Sequence, residues 1–122
     1  MPHAMVIDDS RAMQLILGRF LGEIGFEVSY AGHGREALGW LAQGGRVDLL
    51  LVDWNMPVMN GLELVRAVRA NVLRRHVKIV MVTSENSLAT VALALGAGAD
   101  EYVMKPFTTD VLREKLALIG CG

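Results

Sequence analysis

Polar and acidic side chains follow the apolar runs of this sequence, at the point where each run ends. The stretch HAMVIDDS ends on Asp8 and Asp9, and VDLLLVDWNMPVMNG delivers Asp53 directly before a loop containing Pro, Asn and Gly. Thr83 follows the run KIVMV, and Lys105 follows EYVM. Carboxylates, a hydroxyl and an ammonium group brought to one place would suit phosphoryl transfer, which depends on positioning and on neutralising oxygen charge.

The three acids also predict a divalent metal ion. Carboxylates that converge on one crevice repel one another and raise each other's pKa unless a cation joins them. Mg2+ suits one or two carboxylates together with a carbonyl oxygen, water and phosphate oxygens. If the fold brings Asp8, Asp9 and Asp53 together, the sequence predicts a Mg2+ site there.

The segments that must position these residues alternate between strand and helix. Strand-length apolar runs lie at His3–Ile7, Glu27–Tyr30, Asp48–Val52, Lys78–Val82 and Glu101–Met104, and helical spacing occurs at Arg11–Ile24, Arg35–Gln43, Leu62–Ala70, Leu88–Leu95 and Asp110–Leu118. Strict alternation predicts an α/β fold with a parallel sheet covered by helices on both faces. In such a sheet the functional crevice lies beyond the carboxyl ends of the strands. The polar residues that end the runs are therefore expected to share one site.

Local signals agree with these helices. Asn60 with Glu63 three residues later is typical of a capping box, and Ser10, Ser87 and Thr108 are expected N-caps. The apolar run DLLLV fits a central strand that is buried on both faces.

Length, charge and composition exclude several classes of protein. A chain of 122 residues is expected to form one domain, spanning residues 1–122, with no room for a second domain. Twelve basic and thirteen acidic residues give a net charge of −1, so neither nucleic acid nor an anionic membrane is expected as a partner. No apolar run approaches the ~20 residues that span a bilayer. The N-terminus MPHAM lacks the layout of a secretory signal, which predicts a cytoplasmic location.

Four motifs, in this order, carry a family resemblance: VIDDS, DWNMPVMNG, VTSE and EYVMKPF. Together they resemble the receiver domain of bacterial two-component response regulators, and most closely the stand-alone, CheY-like type of chemotaxis. The resemblance covers essentially the whole chain. It implies a flavodoxin-like fold, a doubly wound five-stranded parallel sheet flanked by five helices with strand order 2-1-3-4-5.

The resemblance also implies a role for each acid of the crevice. Asp53 would be the phospho-acceptor, receiving a phosphoryl group from the phosphohistidine of a partner histidine kinase. Asp9 and Asp53 would bind Mg2+ directly, Asp8 would help through water, and Asn55 would offer its backbone carbonyl. The protein would then be a signalling phosphoprotein that assists its own phosphoryl transfer, and not an enzyme that acts on a separate substrate.

Further residues would form the switch of such a receiver. Thr83 would hydrogen-bond the phosphoryl oxygens, and Lys105 would form an ion pair with them. The peptide bond between Lys105 and Pro106 would be cis. Tyr102 would turn inward once Thr83 moves. The surface around the fourth helix, fifth strand and fifth helix would then bind a downstream protein, with the chain as a monomer or weak dimer. Asn55 and Glu85 would tune the hydrolysis of the acyl phosphate.

Three alternatives remain open at this point. A phosphorelay intermediate would use the same receiver residues. A small aspartyl-nucleophile phosphatase needs a second acid two residues after its nucleophile, where this chain has Asn55. A DNA-binding regulator would need a helix-turn-helix module, and nothing after Thr108 resembles one. Within the chemotaxis type, Ser87 and Leu88 replace basic residues that often begin the fourth helix, which argues against binding to a flagellar motor switch.

Overall fold

A computed structural model describes residues 1–84 and 87–121 of the chain. Its strands are β1 (His3–Ile7), β2 (Glu27–Ala31), β3 (Leu49–Asp53), β4 (Lys78–Thr83) and β5 (Glu101–Met104). Its helices are α1 (Arg11–Ile24), α2 (Gly34–Ala42), α3 (Gly61–Ala70), α4 (Leu88–Ala97) and α5 (Thr109–Leu118), with a 3-10 turn at Val72–Arg74. All strands pair in parallel in the order β2-β1-β3-β4-β5. The predicted doubly wound fold is confirmed.

The core lies in two layers, one on each face of the sheet. Leu49 and Leu51 of β3 pack with α1 and α5, whereas Leu50 and Val52 pack with α2, α3 and α4. All five residues of β3 are buried, as the unbroken run DLLLV predicts for a central strand. The terminal residue of this strand, Asp53, is thus carried on an element that is packed on both faces.

Side chains cap the helices at the expected places. The cap oxygens of Ser10, Ser87 and Thr108 accept backbone N–H groups of the first helical turn, and Asn60 with Glu63 forms a complete capping box. Predicted and observed ends coincide or differ by at most two residues, which is within the normal uncertainty of helix and strand boundaries. The 3-10 turn was not predicted, because three residues are too few for an apolar periodicity. Asn71 begins it by accepting the N–H of Leu73.

No helix within the described residues is both long and apolar enough to cross a bilayer.

Gly61, the first residue of α3, allows this helix to begin directly against the end of β3. A Cβ atom at this position would lie 2.6 Å from the backbone oxygen of Asp53 and 2.7 Å from Cε of Met81. The Gly61 N–H donates to the carbonyl of Trp54, which holds the loop after β3 against the helix. The loop that follows Asp53 therefore depends on a residue without a side chain.

We expect Gly61→Ala to lower the free energy of unfolding by about 1–3 kcal/mol, because the new methyl group meets backbone atoms that cannot move away easily. Gly22→Ala is the matched control, since a Cβ at this exposed position of α1 would meet nothing within 4 Å. The control is expected to stabilise the protein by up to about 1 kcal/mol, the helix-propensity difference. Urea denaturation measures both, and an unchanged midpoint for Gly61→Ala would contradict the packing argument.

Candidate functional site

Two buried carboxylates lie side by side at the carboxyl edge of the sheet. Asp53 is the last residue of β3, and Asp8 directly follows the neighbouring strand β1. Their side chains belong to residues that are only 8% and 1% exposed. Asp9 is exposed, and one carboxylate oxygen from each of the three residues lies within 4.8 Å of the others. The three acids that the sequence singled out are therefore brought together.

One ammonium group faces both buried acids. Lys105 Nζ lies 3.3 Å from Oδ1 of Asp53 and 3.5 Å from Oδ2 of Asp8. The backbone N–H of Lys105 donates to the carbonyl of Thr83 at 2.8 Å, which ties the end of β5 to the end of β4. The peptide bond between Lys105 and Pro106 is cis, as the resemblance implies. Both distances from Nζ exceed the usual length of a charge-assisted hydrogen bond, so the lysine is shared between the two carboxylates.

The charge state of Asp53 reflects this crowding. Burial raises the pKa of Asp53 above its ordinary value, and the Asp8 carboxylate raises it further. Lys105 opposes both effects, through its charge and its hydrogen bond, without cancelling them. A further positive charge at this edge of the sheet would therefore favour the ionised carboxylate.

The other residues singled out in the sequence lie around this cluster. Thr83 ends β4 next to Asp53 and is 3% exposed, and Asn55 is exposed on the loop two residues beyond Asp53. Tyr102 is half-buried on β5, where Lys115 Nζ lies 4.6 Å from the centre of its ring. Glu85 lies outside the described residues.

Gln14 is a residue of this site that sequence reasoning missed. Its side-chain NH2 group donates to the backbone carbonyls of Asp8 at 2.8 Å and Ala31 at 3.3 Å, and the residue is 7% exposed. The N–H of Ser10 donates to Asp8 Oδ1, which orients the carboxylate itself. Gln14 thus joins the carboxyl ends of β1 and β2 next to the acidic cluster. The one signal in the sequence was a polar amide among the apolar residues of α1. The carbonyl groups to which Gln14 donates could not be predicted, because only the fold brings them near.

The donor set fits a hard divalent cation. Three carboxylates offer only oxygen ligands, two of them are buried, and one ammonium does not neutralise them. Oxygen ligands of this kind are those that Mg2+ and Ca2+ prefer. The acidic pocket could therefore bind a metal ion, and its residues fit the Mg2+ ion that the resemblance implies.

Comparison with known proteins decides the family. The family model for the response regulator receiver domain matches residues 4–117. The chain belongs to this family. Among curated relatives, the chemotaxis protein CheY1 of Helicobacter pylori (strain J99) is 44% identical over 116 residues, which cover 94% of each chain. The CheY homologue of Campylobacter jejuni (strain 81-176) is 46% identical over 120 residues, 97% of this receiver and 92% of that protein.

Solved structures agree with the fold. The chemotaxis protein CheY4 of Vibrio cholerae superimposes with a TM-score of 0.89 at 35% identity, and 98% of each chain is covered. This receiver is thus closely related to chemotaxis proteins of the CheY type over nearly their whole length. The comparisons favour a chemotaxis-type response regulator over the phosphatase considered from the sequence.

The raised pKa of Asp53 predicts how stability depends on pH in metal-free protein. The folded chain binds a proton at Asp53 more readily than the unfolded chain does. This carboxylate therefore lowers stability as pH rises from the unfolded pKa of about 3.9 through the raised folded pKa. We expect Asp53→Asn to raise the free energy of unfolding at neutral pH by on the order of 1 kcal/mol. This gain should shrink as the pH falls toward the unfolded pKa.

Urea denaturation in EDTA at several pH values measures this effect. Glu114→Gln, which removes an exposed carboxylate of α5, is the matched control and should leave stability within about 0.5 kcal/mol. A loss of stability in Asp53→Asn at neutral pH would show that the buried charge is better compensated than its surroundings suggest.

Proposed function

We propose that this receiver accepts a phosphoryl group on Asp53 from the phosphohistidine of a histidine kinase, with Mg2+ bound beside it. The observation that carries the proposal is the shared lysine. Lys105 lies within 3.5 Å of both Asp8 and Asp53, and Asp9 lies within the same acidic cluster. A buried carboxylate with an ammonium group and further acids around it is suited to nucleophilic attack on phosphorus.

The transfer can be written from the side chains. A carboxylate oxygen of Asp53 forms a bond to phosphorus while the phosphorus–nitrogen bond to the imidazole of the kinase breaks. The electron pair of that bond stays on the imidazole nitrogen. Lys105 offsets the negative charge of the phosphoryl oxygens, and the Thr83 hydroxyl donates a hydrogen bond to one of them.

Asp8, Asp9, Asp53 and the backbone carbonyl of Asn55 would hold the Mg2+ ion. When bound, the ion neutralises phosphoryl oxygens and screens the acids from one another.

Tyr102 and its neighbours support a role for the surface formed by α4, β5 and α5 in output. Lys115 on α5 contacts the Tyr102 ring and also pairs with Glu101 at 3.5 Å. Tyr102 pairs in register with Met81 on β4, two residues before Thr83. A shift of Thr83 toward a phosphoryl group would therefore change the packing of neighbouring residues on β4 and β5. We place the binding of a downstream protein on this surface, with the phosphorylated state as the competent one.

A chemotaxis role is the most specific function that these relatives support. Both are named as chemotaxis proteins, and this chain covers 92% or more of the length of these two curated relatives. Ser87 caps α4 and Leu88 begins it, 87% exposed, so an apolar residue stands where such regulators often carry a basic one. The downstream partner is therefore expected to present an apolar contact at this point.

Phosphorylation is tested with a small-molecule donor. Incubation with acetyl phosphate and Mg2+ should add one phosphoryl group to the native protein, detected by intact mass, and none to Asp53→Asn. EDTA should abolish the labelling. Asp48→Asn is the matched control, because Asp48 is an exposed acid at the opposite end of β3 and should label as the native protein does. Equal labelling of Asp53→Asn would end the proposal.

The lifetime of the phosphorylated state is a separate prediction. Asn55 is exposed beside Asp53 and can orient a water molecule toward the acyl phosphate. We expect a short-lived phosphoprotein and a several-fold longer lifetime in Asn55→Met, which cannot make that hydrogen bond. Decay after removal of the donor, followed by intact mass, measures both lifetimes.

Gln43→Met is the matched control, because it replaces an exposed amide at the carboxyl end of α2 with the same side chain. Its phosphorylated form should decay at the native rate. A half-life of many hours in native protein with Mg2+ would contradict the prediction.

A further inference from the structure

A second concave site lies at the opposite end of the sheet from Asp53. The loop between α2 and β3 and the loop between α3 and β4 border a half-open cavity of about 390 Å³. This volume is at the small end of the range of about 300–1,000 Å³ for ligand pockets. Its position at the amino ends of β3 and β4 separates it from the acidic cluster by the length of a strand.

The arginine and histidine side chains are the only ionisable groups of the described residues that line this cavity. Arg46 approaches from one loop, and Arg74 with His76 approaches from the other. Neither arginine forms an ion pair within residues 1–84 and 87–121, and no acidic residue of that part of the chain lines the cavity. Two guanidinium groups around one concave site, neither neutralised by a described carboxylate, favour a ligand with two negative charges.

The rest of the lining is largely apolar. Leu41, Val47 and Val77 form a buried floor, and Leu73 lies at the rim with 79% of its surface exposed. An exposed leucine beside two arginines offers an apolar contact next to charged hydrogen-bond donors, which suits an amphipathic molecule. The preferred ligand therefore combines an anionic head with a compact apolar or ring-shaped body.

Both walls of the cavity are held in place by the fold. A side chain at Gly45 would overlap the Trp40 ring, and Gly44 has a φ of 91°, so the path of the loop that carries Arg46 requires both glycines. The N–H groups of Gly44 and Gly45 hold this path by donating to the carbonyls of Leu41 and Trp40. The opposite loop is fixed by Arg69, which donates to the carbonyl of Arg74 at 3.3 Å.

Arg69 is itself anchored, with bonds of 2.8 Å to the carbonyl of Gly98 and to the Asp100 carboxylate. Arg69 thus has a structural role in this wall of the cavity, while Arg46 and Arg74 remain available to a ligand. Fixed walls reduce the entropy that binding costs.

We propose that this cavity binds a small organic phosphate, a phosphate monoester whose ring-shaped body rests on the apolar floor. Arg46 and Arg74 would hold the phosphate, and Leu73 would cover the ring. This proposal does not depend on phosphorylation of Asp53, so an experiment can contradict either proposal without affecting the other.

The test is a titration of the 15N-labelled native protein with adenosine monophosphate, followed by amide chemical shifts. Saturable shifts confined to the loops around Gly44 and Leu73, with a Kd below about 1 mM, are expected. Inorganic phosphate should bind more weakly than adenosine monophosphate, and adenosine should not bind. A ribose 5-phosphate arm distinguishes a nucleotide from a sugar phosphate, and tighter binding than inorganic phosphate by either compound supports the site.

Variants assign the contacts. Arg46→Gln and Arg74→Gln should each weaken adenosine monophosphate binding about tenfold, the loss expected for one charge-assisted hydrogen bond. Arg75→Gln is the matched control, since Arg75 is exposed and does not line the cavity, and it should change affinity less than about twofold. Leu73→Asn should weaken adenosine monophosphate but not inorganic phosphate.

Three outcomes would overturn the proposal. These are the absence of saturable shifts, shifts centred on Asp53 and Lys105, or an equal loss of affinity in Arg75→Gln and Arg46→Gln. The last would mean that only the general positive charge of this surface attracts the anion.

Discussion

Asp8 and Asp53 lie beside each other in a place where both are shielded from water, and the ammonium group of Lys105 lies between them. One positive charge faces two negative charges, with the exposed Asp9 adding a third acid nearby. Because burial and the nearby Asp8 carboxylate both raise the pKa of Asp53, this edge of the sheet is poised to gain stability from any additional cation. The proposed chemistry depends on this imbalance of charge, since a bound metal ion would relieve it and favour the ionised form of Asp53 that the proposed transfer needs.

The fold holds this unfavourable group of charges by fixing the backbone that carries them. Asp53 ends a strand whose five residues are all buried, and Asp8 is tied to the neighbouring strand by Gln14. Gly61 lets α3 begin in contact with the backbone of Asp53. Apolar burial on both faces of β3 therefore supplies the stability that the charged edge lacks. A looser scaffold would let the two carboxylates move apart.

The strand order was predicted through the family resemblance. The residues that meet at this edge were predicted from the sequence itself, because parallel strands place their carboxyl ends together. The sequence could not predict Gln14, whose partners are backbone carbonyls brought near by tertiary packing. The same limit applies to the cavity between Arg46 and Arg74, which are distant in sequence and meet only because two loops are adjacent in space. A 3-10 turn capped by Asn71 was too short to leave a periodic signal. Local patterns thus define elements, whereas cavities arise between them.

The packing of α4 bears on how the proposed movement of Thr83 would reach the proposed binding surface. Within Leu88–Ala97, which lies wholly in the described part of the chain, only Ala94 is buried, whereas Leu93 and Leu95 are 51% and 42% exposed. A helix that fully buries one methyl group and partly buries Ala97 loses little apolar burial when it moves, in contrast to α1, which buries Leu17 and Leu21. The helix that follows Thr83 in the chain is therefore among the easiest to displace. In the proposed function, its exposed leucines would be available to a partner in whichever position of α4 the phosphorylated site favours.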